Sequence, residues 1–374
     1  MALYVGLISG TSADAIDAVV LEAAENRFRV LHAMAVTYPA RLREQLLTFV
    51  ASPKTHSLEA VARLDVAVGR EFGAAALRLL ENARVPAARI DAIGSHGQTI
   101  LHDVESDLPF SWQIGDPNVI AEVTGLTTVA DFRRRDIAAG GEGAPLMPAF
   151  HQAVLASRSE ARIVLNIGGI ANITWLPIQG DTIGFDTGPG NCMMDAWAER
   201  HWKVSYDRDG TRAAKGTVHK ALLDRMLREP YLARKAPKST GRELFNLGWL
   251  DAHVAGSGAT LSPEDVQATL CELTAVTVAR DVRNRADARR VLVCGGGAHN
   301  KELLRRLSAQ LPGVTIEPTG AQGIDGDYVE AAGFAWLAHR TLAGLPGNLP
   351  SVTGARHAVV LGSIHHGASS VIKP

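Results

Sequence analysis

One local design occurs twice in this sequence: an apolar strand-like run, a polar turn of small residues, and a second apolar run. The first copy covers residues 3–22 and has its turn at residues 10–14. The second copy covers residues 163–176 and has its turn at Gly168 and Gly169. Small residues allow backbone N–H groups to approach an anion closely. We therefore expect each half of the chain to open with a glycine-rich β-hairpin.

Segments with helical periodicity alternate with the apolar runs. Apolar residues keep to one face of a helix predicted over residues 58–82. Ser262 is the expected N-cap of a second long helix, with Pro263 at its first position. Buried strands are predicted at residues 4–8, 90–94, 163–167 and 291–294, and further helices at residues 300–311 and 329–342. This alternation predicts the α/β class.

The chain has 374 residues, a length that is too great for one ordinary core and suits two domains. Two glycine-rich hairpins that face one cleft are typical of actin-like ATPases and hexokinases. We therefore predict an actin-like, hexokinase-like fold of two α/β domains. Each domain is expected to have a central mixed sheet flanked by helices, with the ligand cleft between the domains. The predicted domains are residues 1–131, with the C-terminal segment as a candidate addition, and residues 132–374.

Charge and cysteine content argue against several classes of function. The 38 basic and 39 acidic residues give a net charge of −1, so no overall field attracts nucleic acid or an anionic membrane. The three cysteines have no CxxC spacing, which argues against a disulfide framework and a cysteine zinc site. The sequence starts with a strand-like run instead of a signal peptide, and no apolar run reaches the roughly 20 residues that span a bilayer. We expect a cytoplasmic protein that does not bind membranes.

The first turn carries groups that suit a phosphate and its metal ion. Gly10, Thr11 and Ser12 offer backbone amides and hydroxyl donors. Asp14 and Asp17 offer the oxygen ligands that Mg²⁺ prefers, bound directly or through water. The alternative is a tight hairpin that binds no ligand.

Two later turns extend this pattern. Paired glycines between strands can bring backbone against a β- or γ-phosphate, and three glycines between a strand and a helix can admit a nucleoside. The alternatives are a packing glycine or bulge and a flexible connection. A Walker-type phosphate loop is absent from the sequence. The residues expected to bind ATP in these turns are Gly168, Gly169, Asn172, Gly295, Gly296 and Gly297.

Asp186 is the candidate general base. It ends an apolar stretch and precedes a stiff turn that contains Gly188, Pro189 and Gly190. A carboxylate placed there beside a phosphate cleft suits proton abstraction. The alternative for Asp186 is an Asx-turn, and Asp195 is the next candidate for the base.

A further group of polar residues is expected to face a sugar. On its own, a histidine in such a place is more often structural, and consecutive arginines usually form a solvated surface. The group consists of Ser95, His96, Gln98, Arg134, Arg135 and Glu330.

An ordered set of motifs resembles the 1,6-anhydro-N-acetylmuramic acid kinases over about residues 5–354. The motifs lie at residues 6–12 with Asp14 and Asp17, and at residues 95–99, 113–116, 130–136, 143–146, 166–172, 185–191, 238–243, 294–297 and 329–338. One departure is Ala15, where family members usually have glycine after the first aspartate. If this position needs positive φ, Ala15 costs something like 1 kcal/mol.

The resemblance implies an actin-like, two-domain, typically dimeric enzyme of cell-wall recycling. Such an enzyme uses ATP and water to open the anhydro ring of anhydro-N-acetylmuramic acid and forms N-acetylmuramic acid 6-phosphate. In that reaction Asp186 deprotonates the water, Arg134 or Arg135 binds the lactyl carboxylate, and Glu330 binds sugar hydroxyls. Two alternatives stay open on the residues alone: a plain sugar hydroxyl kinase of the same fold, and a non-catalytic actin-like ATP-binding regulator.

Overall fold

The computed structural model describes residues 1–10, 12–24, 27–52, 55–236, 238–241, 243–258 and 260–368. Thr11, which is predicted to bind phosphate, lies outside these residues. The strands are β1 (Ala2–Ser9), β2 (Ala15–Ala24), β3 (Arg27–Thr37), β4 (Ile90–Asp103), β5 (Phe110–Ile114), β6 (Thr128–Ala130), β7 (Ala161–Ile167), β8 (Ile170–Leu176), β9 (Ile183–Pro189), β10 (Ala288–Cys294), β11 (Thr315–Pro318) and β12 (Ser363–His365). The helices are α1 (Ala40–Ala51), α2 (Leu58–Ala83), α3 (Pro117–Thr124), α4 (Phe132–Ala138), α5 (Met147–Leu155), α6 (Cys192–Trp202), α7 (Lys220–Met226), α8 (Pro230–Ala233), α9 (Leu247–Ala255), α10 (Pro263–Arg283), α11 (Lys301–Gln310), α12 (Val329–Leu342) and α13 (Pro350–Thr353).

The chain divides into two compact units. Unit 1 comprises Met1–Val154 and Tyr328–Pro374, and unit 2 comprises Leu155–Asp327. The C-terminal segment belongs to unit 1 because α12 packs on β1, β2 and β4, and β12 pairs with β6. The boundary expected after residue 131 therefore falls inside unit 1.

The sheets of the two units share one strand order. Among the described residues, the first sheet runs β12-β6-β4-β1-β2-β3 with β5 beside β4, and the second runs β11-β10-β7-β8-β9. In both sheets the central strand pairs antiparallel with a hairpin partner and parallel with a later strand. The two mixed sheets with their helices confirm the predicted α/β fold class, and their common order matches the predicted internal duplication.

Each unit has its own apolar core under its sheet. In unit 1, Phe72 and Leu79 of α2 are fully buried among side chains of β1 and β2. In unit 2, Ile163 of β7 and Val278 of α10 lie in a second cluster. Close packing also explains Gly94, since a Cβ atom there would clash with the carbonyl oxygen of Phe334 on α12.

The helix signals in the sequence correspond to local hydrogen bonds. The hydroxyl of Ser262 accepts a hydrogen bond from the Asp265 amide at 3.1 Å, as expected for the N-cap of α10. Ser57 caps α2 in the same way. In the described part of the chain, no helix has both the length and the apolar surface required to cross a membrane.

Candidate active site

The first glycine-rich turn joins β1 to β2 and is open on its outer side. Among the described residues, no heavy atom would lie within 4 Å of a Cβ atom placed on Gly10. The Gly10 carbonyl accepts hydrogen bonds from the Ala13 amide at 3.0 Å and from Gln98 Nε2 at 3.1 Å. Ser12 is exposed. The turn is thus held from the inside while its outer face can admit an anion.

Positive φ in this turn falls on Ala13, at 48°, and not on Ala15. Ala15 is the first residue of β2 and pairs with Thr37. Alanine at position 15 therefore needs no left-handed backbone, and the cost expected there does not arise. A comparable cost of about 1 kcal/mol falls on Ala13 instead.

The two aspartates proposed to bind a metal lie at the base of this turn. Asp14 Oδ1 is 2.5 Å from Arg43 Nη2, and the Asp14 side chain is 66% exposed. Asp17 lies on β2 opposite Ile8. Among the described residues, no group of three or more histidine, cysteine or acidic side chains is placed to hold a metal ion. Mg²⁺ in nucleotide sites usually takes one or two carboxylates with phosphate and water oxygens, so the oxygens of Asp14 and Asp17 have the right chemistry for it, and Arg43 neutralises the Asp14 charge in this structure.

The second glycine-rich turn, between β7 and β8, is interlocked with the start of α6. The Gly169 carbonyl accepts from the amides of Gly190 at 2.9 Å and Cys192 at 3.1 Å, and the Gly168 carbonyl accepts from Asn191 at 2.8 Å. A Cβ atom on Gly190 would clash with the carbonyl oxygen of Gly168. This turn is therefore built into its final shape by the protein itself.

The third glycine segment follows β10 and packs on the same region. Gly295 has φ of 77°, and its amide donates to the Gly326 carbonyl at 3.1 Å. A Cβ atom on Gly297 would clash with the Ile167 side chain. A cavity of about 550 Å³ beside this segment is lined by Val293, Ala298, His299, Pro318, Gly320, Gly323, Asp325, Gly326 and Asp327. Unit 2 thus brings the second and third glycine segments together next to a cavity that can hold a nucleoside.

Asp186 lies on β9, opposite Asn172 of β8, beside these segments. Its Oδ2 accepts hydrogen bonds from Ser239 Oγ at 3.1 Å and from the Thr240 amide at 3.0 Å. Both hydrogen bonds that the described residues donate to this carboxylate reach Oδ2. No described residue donates a hydrogen bond to the other oxygen, Oδ1.

The main chain on both sides also holds Asp186. Its amide donates to the Lys238 carbonyl at 3.1 Å, and its carbonyl accepts from the Tyr231 hydroxyl at 2.9 Å. Burial raises the pKa of Asp186, while the bonds from Thr240 and Ser239 and the Lys238 charge lower it. A carboxylate with a raised pKa that keeps two donors suits general-base work.

In unit 1, His96 is tied to an arginine. Arg133 Nε donates to His96 Nε2 at 3.0 Å, and His96 Nδ1 contacts the Gly97 carbonyl at 3.0 Å. Burial and the Arg133 charge hold the pKa of His96 well below its usual range. His96 is therefore neutral, carries its proton on Nδ1, and orients Arg133.

Arg133 also connects to Gly143 and Glu330. Its Nη1 donates to the Gly143 carbonyl at 2.8 Å. Glu330 is exposed, while desolvation of its carboxyl raises its pKa and the Arg133 charge opposes this shift. Ser95 Oγ is buried and has no hydrogen-bond partner among the described residues. Hydrogen bonds thus join His96, Arg133 and Gly143 in unit 1, and the Arg133 charge acts on Glu330.

The other two arginines differ in their contacts. Arg134 Nε donates to the Ser111 carbonyl at 3.3 Å and lies 3.4 Å from Asp131 Oδ1. Arg135 is exposed. Arg133 is half-buried, a difference from Arg134 and Arg135 that three consecutive arginines in a sequence do not reveal. Ser239 and Thr240 had no predicted role, although they lie in one of the motifs that carry the family resemblance.

Known proteins show to which family the chain belongs. The family model for anhydro-N-acetylmuramic acid kinase matches residues 2–367. The chain belongs to the anhydro-N-acetylmuramic acid kinase family. It is 52% identical over 367 residues to the anhydro-N-acetylmuramic acid kinase of Xanthomonas campestris, with 97% of each chain covered. It is 48% identical over 365 residues to that of Vibrio parahaemolyticus, covering 97% of this chain and 98% of the relative.

Family membership confirms the predicted activity: the chain is an ATP-dependent sugar kinase of the anhydro-N-acetylmuramic acid type. Among solved structures, it resembles component A of (R)-2-hydroxyglutaryl-CoA dehydratase from Acidaminococcus fermentans with a TM-score of 0.48 and 14% identity. That match covers 92% of this chain and 100% of the other.

Proposed function

We propose that Asp186 is the general base in an ATP-dependent, hydrolytic opening of the 1,6-anhydro ring of anhydro-N-acetylmuramic acid. The observation that carries this role is the pair of donors, Ser239 and Thr240, on one oxygen of its carboxylate. They fix the side chain and leave the second oxygen for a water proton.

The proposed reaction proceeds in one series of bond changes. Asp186 takes a proton from water, and the resulting hydroxide attacks C1 of the sugar. The C1–O6 bond breaks, and O6 attacks the γ-phosphorus of ATP, which releases ADP. Ordinary inverting glycosidases need a second carboxyl to protonate the leaving oxygen. Here the phosphoryl group captures that oxygen, so one carboxylate suffices.

Three segments are proposed to hold the nucleotide. The amides of Gly10 and Ser12 would contact phosphate at the open first turn, together with Thr11 outside the described residues. Gly168, Gly169 and Asn172 would contact phosphate at the interlocked second turn, and the segment of Gly295, Gly296 and Gly297 would face the nucleoside. Asp14 and Asp17 would hold Mg²⁺, which neutralises phosphate charge when bound.

The sugar is proposed to contact the polar residues of unit 1. Glu330, which is exposed, would bind sugar hydroxyls, and Ser95, whose hydroxyl is buried without a partner among the described residues, would do so only after a local rearrangement. Arg135, which is exposed, or Arg134 would bind the lactyl carboxylate through a charge-assisted hydrogen bond. Gln98, whose amide supports the Gly10 carbonyl, would link the sugar to the first turn.

We also propose a homodimer in the cytoplasm, where ATP is available. Light scattering at several protein concentrations tests the dimer, and a constant monomer mass would exclude it.

The reaction is tested with anhydro-N-acetylmuramic acid, ATP and Mg²⁺ in water enriched in ¹⁸O. We expect one labelled oxygen at C1 of a phosphorylated product, in step with ADP release. A phosphorylated product that contains no solvent oxygen would point to a plain hydroxyl kinase instead. ATP binding without sugar-stimulated ADP release would point to a non-catalytic regulator.

A further inference from the structure

A buried ion pair lies next to the residues that hold Asp186. Lys238 Nζ is 3.4 Å from Asp281 Oδ2, and the two side chains are 2% and 9% exposed. The ammonium also faces the rings of Phe185 and Tyr231, 5.6 and 5.3 Å from their centroids. Burial lowers the pKa of Lys238 and raises that of Asp281, and each charge opposes the shift of the other. Buried ion pairs often fail to recover their desolvation cost. A contribution to stability alone therefore does not explain why this pair lies here.

The main chain connects this pair to Asp186. The Lys238 carbonyl accepts the Asp186 amide at 3.1 Å. The next two residues, Ser239 and Thr240, supply both donors to the Asp186 carboxylate. Tyr231, whose ring contacts the ammonium, donates its hydroxyl to the Asp186 carbonyl at 2.9 Å. Every protein group that orients Asp186 in these contacts is thus next to the ion pair or part of it.

We propose that the Lys238–Asp281 pair positions the general base: it anchors residues 238–240 so that Ser239 and Thr240 keep the Asp186 carboxylate ionised and aimed. Both residues act through Asp186 and are positioning residues. The inference rests on the proposed role of Asp186 as the base.

The charges around the carboxylate predict the direction in which the pKa of Asp186 changes when the ion pair is removed. Burial and Glu243 raise the pKa of Asp186, whereas the Lys238 charge lowers it. Removing the ammonium therefore raises the pKa of Asp186. As the pH is lowered, the base is then protonated earlier, so the acid limb of the pH profile of turnover lies at higher pH than in the wild type. Among the described residues, the titratable and charged groups that face Asp186 or the ion pair are Lys238, Glu243, Tyr231, Asp281, Arg280 and Arg285.

The experiment compares Lys238→Met with the double variant Lys238→Met/Asp281→Leu. The single variant leaves Asp281 buried without its partner and is expected to lose stability, whereas two apolar residues often restore it. We expect the double variant to recover the wild-type melting temperature while kcat stays about 10- to 100-fold lower. Its acid limb should move to higher pH, and its KM for ATP should not change.

A largely buried ion pair elsewhere in unit 2, whose arginine also contacts Glu302, provides the control. Arg306 Nη1 lies 2.9 Å from Glu272 Oε2, with side chains 10% and 15% exposed. Glu272→Gln should lower stability and leave kcat and its pH profile as in the wild type. If the double variant at Lys238 and Asp281 regains wild-type kcat and acid limb together with stability, the pair is only structural and the proposal is overturned.

A direct titration separates this inference from the proposed function. Carbon-13 NMR of labelled aspartate reads the pKa of Asp186 without turnover, with Asp186→Asn used to assign the signal. We expect a higher pKa in the double variant than in the wild type, and an equal pKa overturns the proposal. Wild-type turnover by Asp186→Asn would instead remove the base role of Asp186.

Discussion

The two glycine-rich hairpins share one strand order but differ in what surrounds their turns. Beside Gly10 of unit 1, among the described residues, a Cβ atom would meet no heavy atom within 4 Å. In unit 2, the carbonyls of Gly168 and Gly169 already accept the amides of Gly190, Asn191 and Cys192, and Gly190 has no room for a Cβ atom. The same topology therefore carries a first turn with open space at Gly10 and a second turn whose carbonyls are bound by the segment that leads into α6.

This difference predicts which property each unit controls. In unit 2, Ser239 and Thr240 donate to the Asp186 carboxylate, an arrangement that would preorganise the proposed base. In unit 1, the open turn and Arg135 present exposed groups whose partners would come from a ligand. Changes in unit 2 should therefore cost turnover or stability, and changes in unit 1 should cost affinity.

The largest effect is expected for a substitution of Asp186 in unit 2. Asp186→Asn keeps the shape of the side chain and removes its charge, so no water is activated and the C1–O6 bond stays closed. We expect sugar-dependent ADP release to fall by about 10²–10⁴-fold, at the high end of that range, while ATP binding persists. Near wild-type ADP release would end the role of Asp186, and Asp195→Asn, otherwise the control, would become the next test.

Arg135→Ala tests whether changes in unit 1 weaken the binding of the sugar. Loss of a charge-assisted hydrogen bond to the lactyl carboxylate should raise the KM for the sugar by about 10- to 100-fold, with little change in the KM for ATP. Arg134→Ala is the matched comparison, since Arg134 already contacts Asp131 and Ser111. An anhydro-sugar without the lactyl group should be insensitive to the change. Equal harm to both sugars would give Arg135 another role and favour Arg134.

A pair of glycine substitutions compares the two turns directly. Gly190→Ala forces backbone against the Gly168 carbonyl and should destabilise the protein by about 1–3 kcal/mol in a denaturant titration. Gly10→Ala should change stability by no more than about 0.5 kcal/mol and should raise the KM for ATP. Equal stability losses in the two variants would contradict the distinction between an open and an interlocked turn.

The smallest expected effect concerns the donors of Asp186. Ser239→Ala removes one of two hydrogen bonds to Oδ2, worth about 0.5–1.5 kcal/mol, so kcat should fall by roughly twofold to tenfold. Because that bond lowers the pKa of Asp186, its loss raises the pKa, and the base becomes protonated at higher pH. The kcat profile should therefore lose more activity at acid pH than at neutral pH. A uniform loss at every pH would leave Ser239 with no part in ionising the base.

Local patterns in the sequence predicted the elements well where apolar residues are buried. The apolar run at residues 4–8 lies inside β1, the periodic segment at residues 58–82 became α2, and α12 has the predicted bounds. Ser262 and Pro263 start α10 as predicted. These features depend on neighbours in sequence, so periodicity and capping chemistry suffice. The family and its kinase activity were likewise readable from ordered motifs.

Contacts between distant residues were decided only by the tertiary structure. The C-terminal segment was a candidate addition to the first domain, but the sequence did not show that β12 would pair with β6. It did not show that Arg133, among three arginines, would be the one bound to His96. It also did not show that Ser239 and Thr240 would hold a carboxylate more than fifty positions earlier in the chain.

The physical reason is that composition and periodicity report the face on which a residue lies, whereas a hydrogen bond requires a direction and a distance. The sequence by itself determined the α/β class, the duplicated hairpins, the family and Asp186 as the candidate base. Only the folded chain determined which donors reach Asp186, which glycine turn is open, and which charges lie buried beside it.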